Sequence, residues 1–381
     1  MFNDLTESIR VNFAYRSGLL FFLFLLYEIP MRIIDALRPS THIRSMRIKE
    51  DIDGRLSHNK GLLAVLAIKQ DGAIPEDILS LINALNKHKI DVLVVQNGNL
   101  TNTSREVLIK HCYRIIVRNG SGRDFGSYKD GILSLNEDRF SQRLLLMNDS
   151  LIYFKERVDQ LIQSLIKDDG KIIAATESLE PKYHLQSFIL SFPHAVTSNP
   201  KFLNYWKKYL LINTRRYAIN YGEKGFSKFL LKLRIPIKII YNIADLQNAL
   251  RDANLESLST SKSMLLPIGI REKLLQTIFS FPINMKNLDR RNEIISALSS
   301  SVMEGSQVHF GAILYLLYLD MAIMKRDIFY RGVFSLHEIE LALQYAGLSH
   351  YRDQIGSEFR IRGNRQSLSF IDKMKFDVGM I

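Results

Sequence analysis

Residues 61–68 read Gly-Leu-Leu-Ala-Val-Leu-Ala-Ile, eight positions without a polar side chain. A strand with one solvated face alternates apolar and polar residues, so an unbroken run predicts a strand covered on both faces, as in a parallel sheet between helices. The next segments fit that reading. Residues 75–87 place Ile78, Leu79, Leu81, Ile82 and Leu85 at helical spacing and lead into Lys87, His88 and Lys89. Asp91 to Gln96 is a second strand, stopped by the turn dipeptide Asn97-Gly98. Strand, helix, strand makes a right-handed βαβ unit. The alternation continues with a helix at Asn102 to His111, a strand at Tyr113 to Arg118, a helix after Asp124 and a strand at Arg143 to Asn148. Later strands are expected at Lys171 to Thr176 and Arg234 to Tyr241. The pattern predicts an open α/β sheet that binds ligands at the carboxyl ends of its strands.

The chain has 381 residues, enough for two domains, with 46% hydrophobic and 24% charged residues and no low-complexity tract. Its net charge of +12 favours an anionic partner, which could be nucleic acid, an acidic membrane surface or a phosphorylated substrate. Basic residues are scattered, and no helix-turn-helix, zinc-ligand spacing or aromatic RNA-binding signature accompanies them, which argues against nucleic acid. The single cysteine, Cys112, rules out an internal disulfide, and its apolar setting suits a buried thiol in a reducing cytoplasm. Leu19 to Tyr27 is almost wholly apolar, but it is too short to span a bilayer and lacks a following cleavage site. Arg10, Arg16, Arg32, Arg38, Arg44 and Arg47 flank it, which suits a helix lying in the headgroups of an anionic leaflet; the alternative is a helix packed on the protein's own body. The expected organisation is an interfacial segment at 1–50, an α/β domain at 55–250, a polar linker within 251–263, and a smaller all-helical domain at 265–381 with helices at Gly311 to Met324 and Leu336 to Tyr345.

Chemistry in an open sheet is sought just beyond the strand ends. Asn119-Gly-Ser-Gly-Arg-Asp-Phe-Gly-Ser-Tyr-Lys129 follows the third strand. Its glycines allow close backbone approach, and Arg123 and Lys129 can meet phosphate, although an ordinary glycine-rich turn has the same composition. Leu144 to Met147 runs directly into Asn148-Asp149-Ser150, an oxygen-rich cluster suited to a hard divalent cation or to a ribose and diphosphate, and equally to capping the next helix. Trp206 could stack on a sugar, but Phe202, Trp206 and Leu210 share a helical face and read better as core.

Taken together, these segments resemble the rhamnan synthesis protein F family, in which Asn-x-Gly-Arg-Asp-Phe-Gly-Ser-Tyr precedes an apolar strand ending in Asn-Asp-Ser. Here the counterparts are residues 119–128, with one more residue between the Asn and the Gly, and residues 148–150. His184-Leu-Gln186-Ser187-Phe188 is similar to that family's His-x-Gln-Ser segment, and Lys325-Arg326-Asp327 to a late Lys-Arg-Asp, so the likeness runs from about Gly61 to Ile328. The resemblance implies a GT-A-like glycosyltransferase that moves a sugar, rhamnose from dTDP-rhamnose, to a lipid-linked or polysaccharide acceptor at the inner face of the plasma membrane. It places Asn119, Gly122, Arg123, Asp124, Tyr128, Lys129, Asn148, Asp149 and Ser150 at the donor, and His184, Gln186 and Ser187 at the donor or acceptor. Where such folds carry Asp-x-Asp, this chain has Asn148-Asp149-Ser150, so Asp149 is the one charged ligand available to a Mg or Mn ion and the need for metal stays open. Inverting transfer needs a carboxylate base. Glu223, in Tyr-Gly-Glu where the family tends to have Tyr-Glu, and Glu177, at a strand end, are the candidates. The late Lys-Arg-Asp is expected to place an acceptor or to steady the two domains. A non-catalytic scaffold of a polysaccharide assembly is the alternative.

Overall fold

The computed structural model describes residues 22, 26–135, 140, 142–167, 170–179, 182–253, 266–268, 287–303, 305–362 and 369. Much of the apolar run Leu19 to Tyr27 and most of the expected linker lie outside these residues.

The core is a mixed sheet of eight strands. In chain order the first five are β1 (Ile48–Asp53), β2 (Leu62–Ile68), β3 (Asp91–Asn97), β4 (Arg114–Arg118) and β5 (Arg143–Asn148). Between them run helices α1 (Glu76–Lys87), α2 (Asn102–His111) and α3 (Arg123–Ile132). After β6 (Leu151–Tyr153) and α4 (Val158–Ile166) come β7 (Ile172–Ala174), β8 (Glu177–Ser178), β9 (His184–Leu185) and β10 (Ile189–Pro193). The order across the sheet is β1-β4-β3-β2-β5-β10-β7-β11, with β11 at Ile237–Ile239. Strands β4, β3, β2 and β5 are mutually parallel, whereas β1 and β10 run antiparallel to their neighbours. The α/β open sheet expected from the sequence is therefore present, with additional antiparallel strands that periodicity did not separate.

The apolar run at 61–68 does what its composition demands. Ala64, Leu66 and Ile68 face one core, and Leu63, Val65 and Ala67 face the other. Both faces need cover. One is packed by α1, α4 and the later helices α7 (Ile243–Asp252), α8 (Asn287–Met303), α9 (Ala312–Tyr318), α10 (Leu336–Tyr345) and α11 (Arg352–Arg362). The other is packed by α3, α5 (Pro200–Lys208) and α6 (Lys224–Lys232) around an aromatic cluster, in which Trp206 lies 5.0 Å from Phe226 and 6.0 Å from Phe125. Trp206 is fully buried, so it belongs to this core and does not face a sugar. Cys112 is buried in the opposite core, where desolvation pushes its thiol far up.

The helix expected from Gly311 to Met324 is shorter than its apolar pattern. It ends at Tyr318; Asp320 then takes a left-handed conformation (φ 47°), and β12 (Ile323–Lys325) pairs antiparallel with β6. A continuous apolar run is compatible with either element, and here the bend decides where one gives way to the other. The late segment is thus not all-helical, and it contributes a strand beside the end of β5.

A buried charge cluster holds the carboxyl end of β4. Asp130 of α3 accepts from Arg47 Nη2 at 2.6 Å and from Arg118 Nε at 2.8 Å, and all three side chains are almost fully buried. Arg118 also donates to Asn97 Oδ1 at 2.6 Å and to the Ser121 carbonyl at 2.7 Å. Replacing Asp130 with Asn leaves two buried guanidinium groups without their counter-charge, and urea unfolding should show a loss of about 3–5 kcal/mol.

Candidate functional site

The strand order reverses between β2 and β5, because the chain builds outward to β3 and β4 and then returns to the other side of β2. Ligand crevices in open α/β sheets form at such a switch point, outside the carboxyl ends of the strands. The chain's polar motifs converge there.

From one side comes the glycine-rich loop. Gly122 adopts φ 78°, and its amide donates to Asn213 Oδ1 at 2.8 Å. Arg123 is also left-handed (φ 52°), and its Nε donates to the Asn213 carbonyl at 2.8 Å. Glycine takes this conformation without cost, but a left-handed arginine stores backbone strain of a kind found at ligand sites. At Gly126, a Cβ would lie 2.1 Å from the Ser121 carbonyl oxygen and 2.9 Å from the Arg118 guanidinium, so the loop can fold back on α3 only with glycine there. The loop is therefore mounted directly on the buried Arg118–Asp130 pair.

From the end of β5 come Asn148, Asp149 and Ser150. Asn148 donates from Nδ2 to Asp124 Oδ2 at 2.8 Å, and its Oδ1 accepts from the Ser150 hydroxyl at 2.6 Å. Burial, reinforced by the charge of Asp149, pushes Asp124 up to about 6. Asp149 turns toward β2, where its Oδ2 accepts from the Lys69 amide at 2.8 Å and from Gln70 Nε2 at 2.5 Å. Burial raises Asp149 as well, against those hydrogen bonds.

The late Lys-Arg-Asp motif closes the crevice. Lys325, the last residue of β12, donates from Nζ to Ser150 Oγ at 2.9 Å, and its ammonium sits 4.4 Å above the Phe188 ring. Arg326 is buried and donates to the Asp149 carbonyl at 2.9 Å and to Asp77 Oδ2 at 2.5 Å, and it pairs with Glu358. Asp327 accepts from His309 Nε2 and from Arg331 Nε, each at 2.8 Å. Burial pulls His309 down to about 4, so near neutral pH it is an uncharged donor whose Nδ1 accepts from Ser306. Burial alone would raise Asp327, but His309 and the Arg331 and Lys325 charges hold it well below the usual carboxylate range.

A second group faces these residues. Ser187 donates from Oγ to Glu223 Oε1 at 2.9 Å, and His184 Nε2 lies 3.7 Å from Glu223 Oε2. Tyr128 reaches the Ser187 carbonyl at 3.1 Å, and Gln186 Nε2 is 3.4 Å from His184 Nε2. Of the two carboxylates considered as base, Glu223 is charge-coupled to both Asp124 and Lys325, whereas Glu177 lies in the small β8–β9 sheet and bonds Tyr183.

Two expected contacts are placed elsewhere. Lys129 is buried and donates to the Lys207 and Tyr209 carbonyls at 3.0 and 2.7 Å, so it fastens α3 to the end of α5 and does not meet phosphate. Asn119 bonds the backbone of Arg47 and Met46 at the rim of the loop. Sequence reading missed Gln70 and Asn213, which brace Asp149 and the glycine-rich loop. Gln70 lies two residues beyond a strand end and could have been suspected; Asn213 had no local signal.

The cluster at 148–150 does not suit a divalent metal ion. Hard cations want several oxygen ligands, and carboxylates above all. The one charged residue, Asp149, is engaged by Lys69 and Gln70, and the Lys325 ammonium stands against Ser150. Among the described residues, no three of His, Cys, Asp and Glu come together as a ligand set.

Fold and site together define an open α/β protein with a polar, charge-balanced crevice at its topological switch point. Residues 92–266 match the model of the rhamnan synthesis protein F family. A curated relative from Sinorhizobium fredii, the uncharacterized protein y4gN, is 30% identical over 202 residues, or 51% of this chain and 52% of the relative, so the chain spans about half the length of that relative. Among solved structures, 4-diphosphocytidyl-2C-methyl-D-erythritol synthase from Anaerococcus prevotii aligns at 13% identity and TM-score 0.32, over 47% of this chain and 89% of that one. A protein assigned as a nucleotide-diphospho-sugar transferase from Desulfovibrio desulfuricans aligns at 10% identity and TM-score 0.31, over 48% and 79% of the two chains.

Proposed function

We propose that this chain is a glycosyltransferase that binds a nucleotide-diphosphate sugar at the switch point and passes the sugar to an acceptor hydroxyl. The observation that carries the reading is the hydrogen-bonded run Asp124–Asn148–Ser150–Lys325, set opposite Glu223 and His184. Such a crevice offers acceptors for sugar and ribose hydroxyls, a cation for the diphosphate, and a carboxylate for the proton in transit. In the transfer, Glu223 takes the proton of the acceptor hydroxyl as its oxygen bonds the anomeric carbon, and the electron pair of the breaking C–O bond leaves with the diphosphate. Ser187 fixes the Glu223 carboxylate by its hydrogen bond, and His184 Nε2 lies 3.7 Å from the other carboxylate oxygen. The match to a rhamnan synthesis family supports rhamnose as the sugar, and in this reading dTDP is its carrier and a lipid-linked or polysaccharide molecule its acceptor.

An acceptor of that kind is reached at the inner leaflet, and the first helix suits such a position. Residues 26–37 are helical, with Leu26, Ile29, Ile33 and Leu37 between 51% and 76% exposed along one stripe. The opposite face is docked by polar bonds: Glu28 accepts from Thr214 Oγ1 at 2.7 Å, and Asp35 accepts from the Asn213 amide at 2.8 Å. A helix that turns its apolar stripe outward, beside the exposed Arg38, suits the headgroup region of an anionic leaflet. Among the described residues no helix is long and apolar enough to cross a membrane.

Two outcomes follow. With sugar nucleotide and acceptor supplied, Glu223→Gln should lower kcat by about 10²–10⁴-fold while donor affinity holds, and Glu177→Gln should leave the rate near that of the parent; equal rates in the two variants would remove Glu223 from the chemistry. In co-sedimentation with phosphatidylglycerol vesicles, Ile33→Asp combined with Leu37→Asp should weaken binding by about tenfold or more. Undiminished binding would mean that the helix does not meet the membrane.

A further inference from the structure

We infer that the Lys325 ammonium takes the place of a divalent metal ion at this site, so that the diphosphate of the bound nucleotide is neutralised by the protein itself. The inference rests on the sugar-nucleotide reading above and goes beyond it in naming the cation.

Position is the first argument. A metal bound at the end of β5 would lie between Asn148, Asp149, Ser150 and the diphosphate. That space is reached instead by Nζ of Lys325, 2.9 Å from Ser150 Oγ. The second argument is how firmly the lysine is held. Residues 323–325 pair strand to strand with β6, so Lys325 stands opposite Leu151, the residue after Ser150. Arg326, next in sequence, is locked by Asp77, Glu358 and the Asp149 carbonyl. The Phe188 ring lies under the ammonium and excludes water from that side. A cation fixed before the ligand arrives needs little reorganisation when negative charge develops on the leaving group.

Charge balance is the third argument. Asp327, Glu223 and Asp124 surround Lys325 closely enough to oppose the effect of its burial, yet among the described residues none comes within ion-pair distance. The ammonium is therefore compensated at a distance and keeps donors for a ligand, since its bond to Ser150 uses one of three. Asp327 is tied up by His309 and Arg331, which keeps it from closing onto the lysine. As the anomeric C–O bond breaks and its electron pair passes to the diphosphate, Lys325 supplies charge and hydrogen bonds and transfers no proton.

The test is calorimetric titration of the full chain with dTDP, UDP and GDP, first in excess EDTA and then with MgCl2 or MnCl2, on the parent, Lys325→Met and Lys325→Arg. The inference expects one nucleoside diphosphate to bind equally well with and without metal. Lys325→Met should weaken it by about tenfold or more, with the matching nucleoside monophosphate little changed and Lys325→Arg restoring part of the loss. A parent that binds only with metal overturns the inference and leaves the glycosyltransferase reading intact, and this comparison holds even if the variants fail to fold. Folded Lys325→Met that binds the diphosphate as the parent does also overturns it. If no nucleoside diphosphate binds in either condition, both readings fall.

Discussion

The Arg326 guanidinium joins parts of the chain that sequence keeps far apart. It bonds Asp77 at the start of α1, Glu358 on α11 and the backbone carbonyl of Asp149. A buried guanidinium is costly unless its donors are matched, so its planar fork fixes the position of everything it touches. One consequence is the register of β12 on β6, and with it the placement of Lys325 beside Ser150. The crevice at the switch point therefore does not belong to the α/β sheet alone. It is completed only when a segment some 175 residues downstream in sequence docks at the end of β5.

A second buried cluster plays the matching part on the other side of the crevice. Asp130, between Arg47 and Arg118, anchors the residues that carry the glycine-rich loop. Asn213 then braces Gly122 and Arg123 from the far side, and its own amide is held by Asp35 of the first helix. This continuous set of hydrogen bonds runs from a helix with an outward apolar stripe to the loop at the candidate donor site. A membrane-seated helix would thus sit two hydrogen bonds from the residues proposed to meet the sugar nucleotide, an arrangement suited to an acceptor embedded in lipid.

Much of the sheet could be read from the chain because parallel strands buried on both faces leave runs such as Leu62 to Ile68 and Asp91 to Gln96, which few other structures require. The antiparallel strands were harder. Ile48 to Asp53 is mostly charged, with two isoleucines four residues apart at a sheet edge, and Ile189 to Pro193 is short and embedded among other apolar residues. The bend at Asp320 was invisible to periodicity, since a left-handed aspartate has no pattern of its own. At the site, residues carried by local motifs were legible: Asp124, Asn148 and Ser150 do meet. Lys129 belongs to the same motif, yet its chain direction takes it into the interior, where backbone carbonyls bind it. Contacts that depend on tertiary docking, such as Lys325 to Ser150 and Asn213 to Gly122, had no local signature.

The most direct measurement is a structure of the chain bound to the nucleoside diphosphate that it holds most tightly. The account predicts the diphosphate at the carboxyl ends of β2 and β5, with a phosphate oxygen on Lys325 Nζ and Ser150 and the nucleoside extending toward Asp124 and the glycine-rich loop. A nucleotide bound elsewhere on the protein, with the crevice between Ser150 and Glu223 left empty, would contradict it.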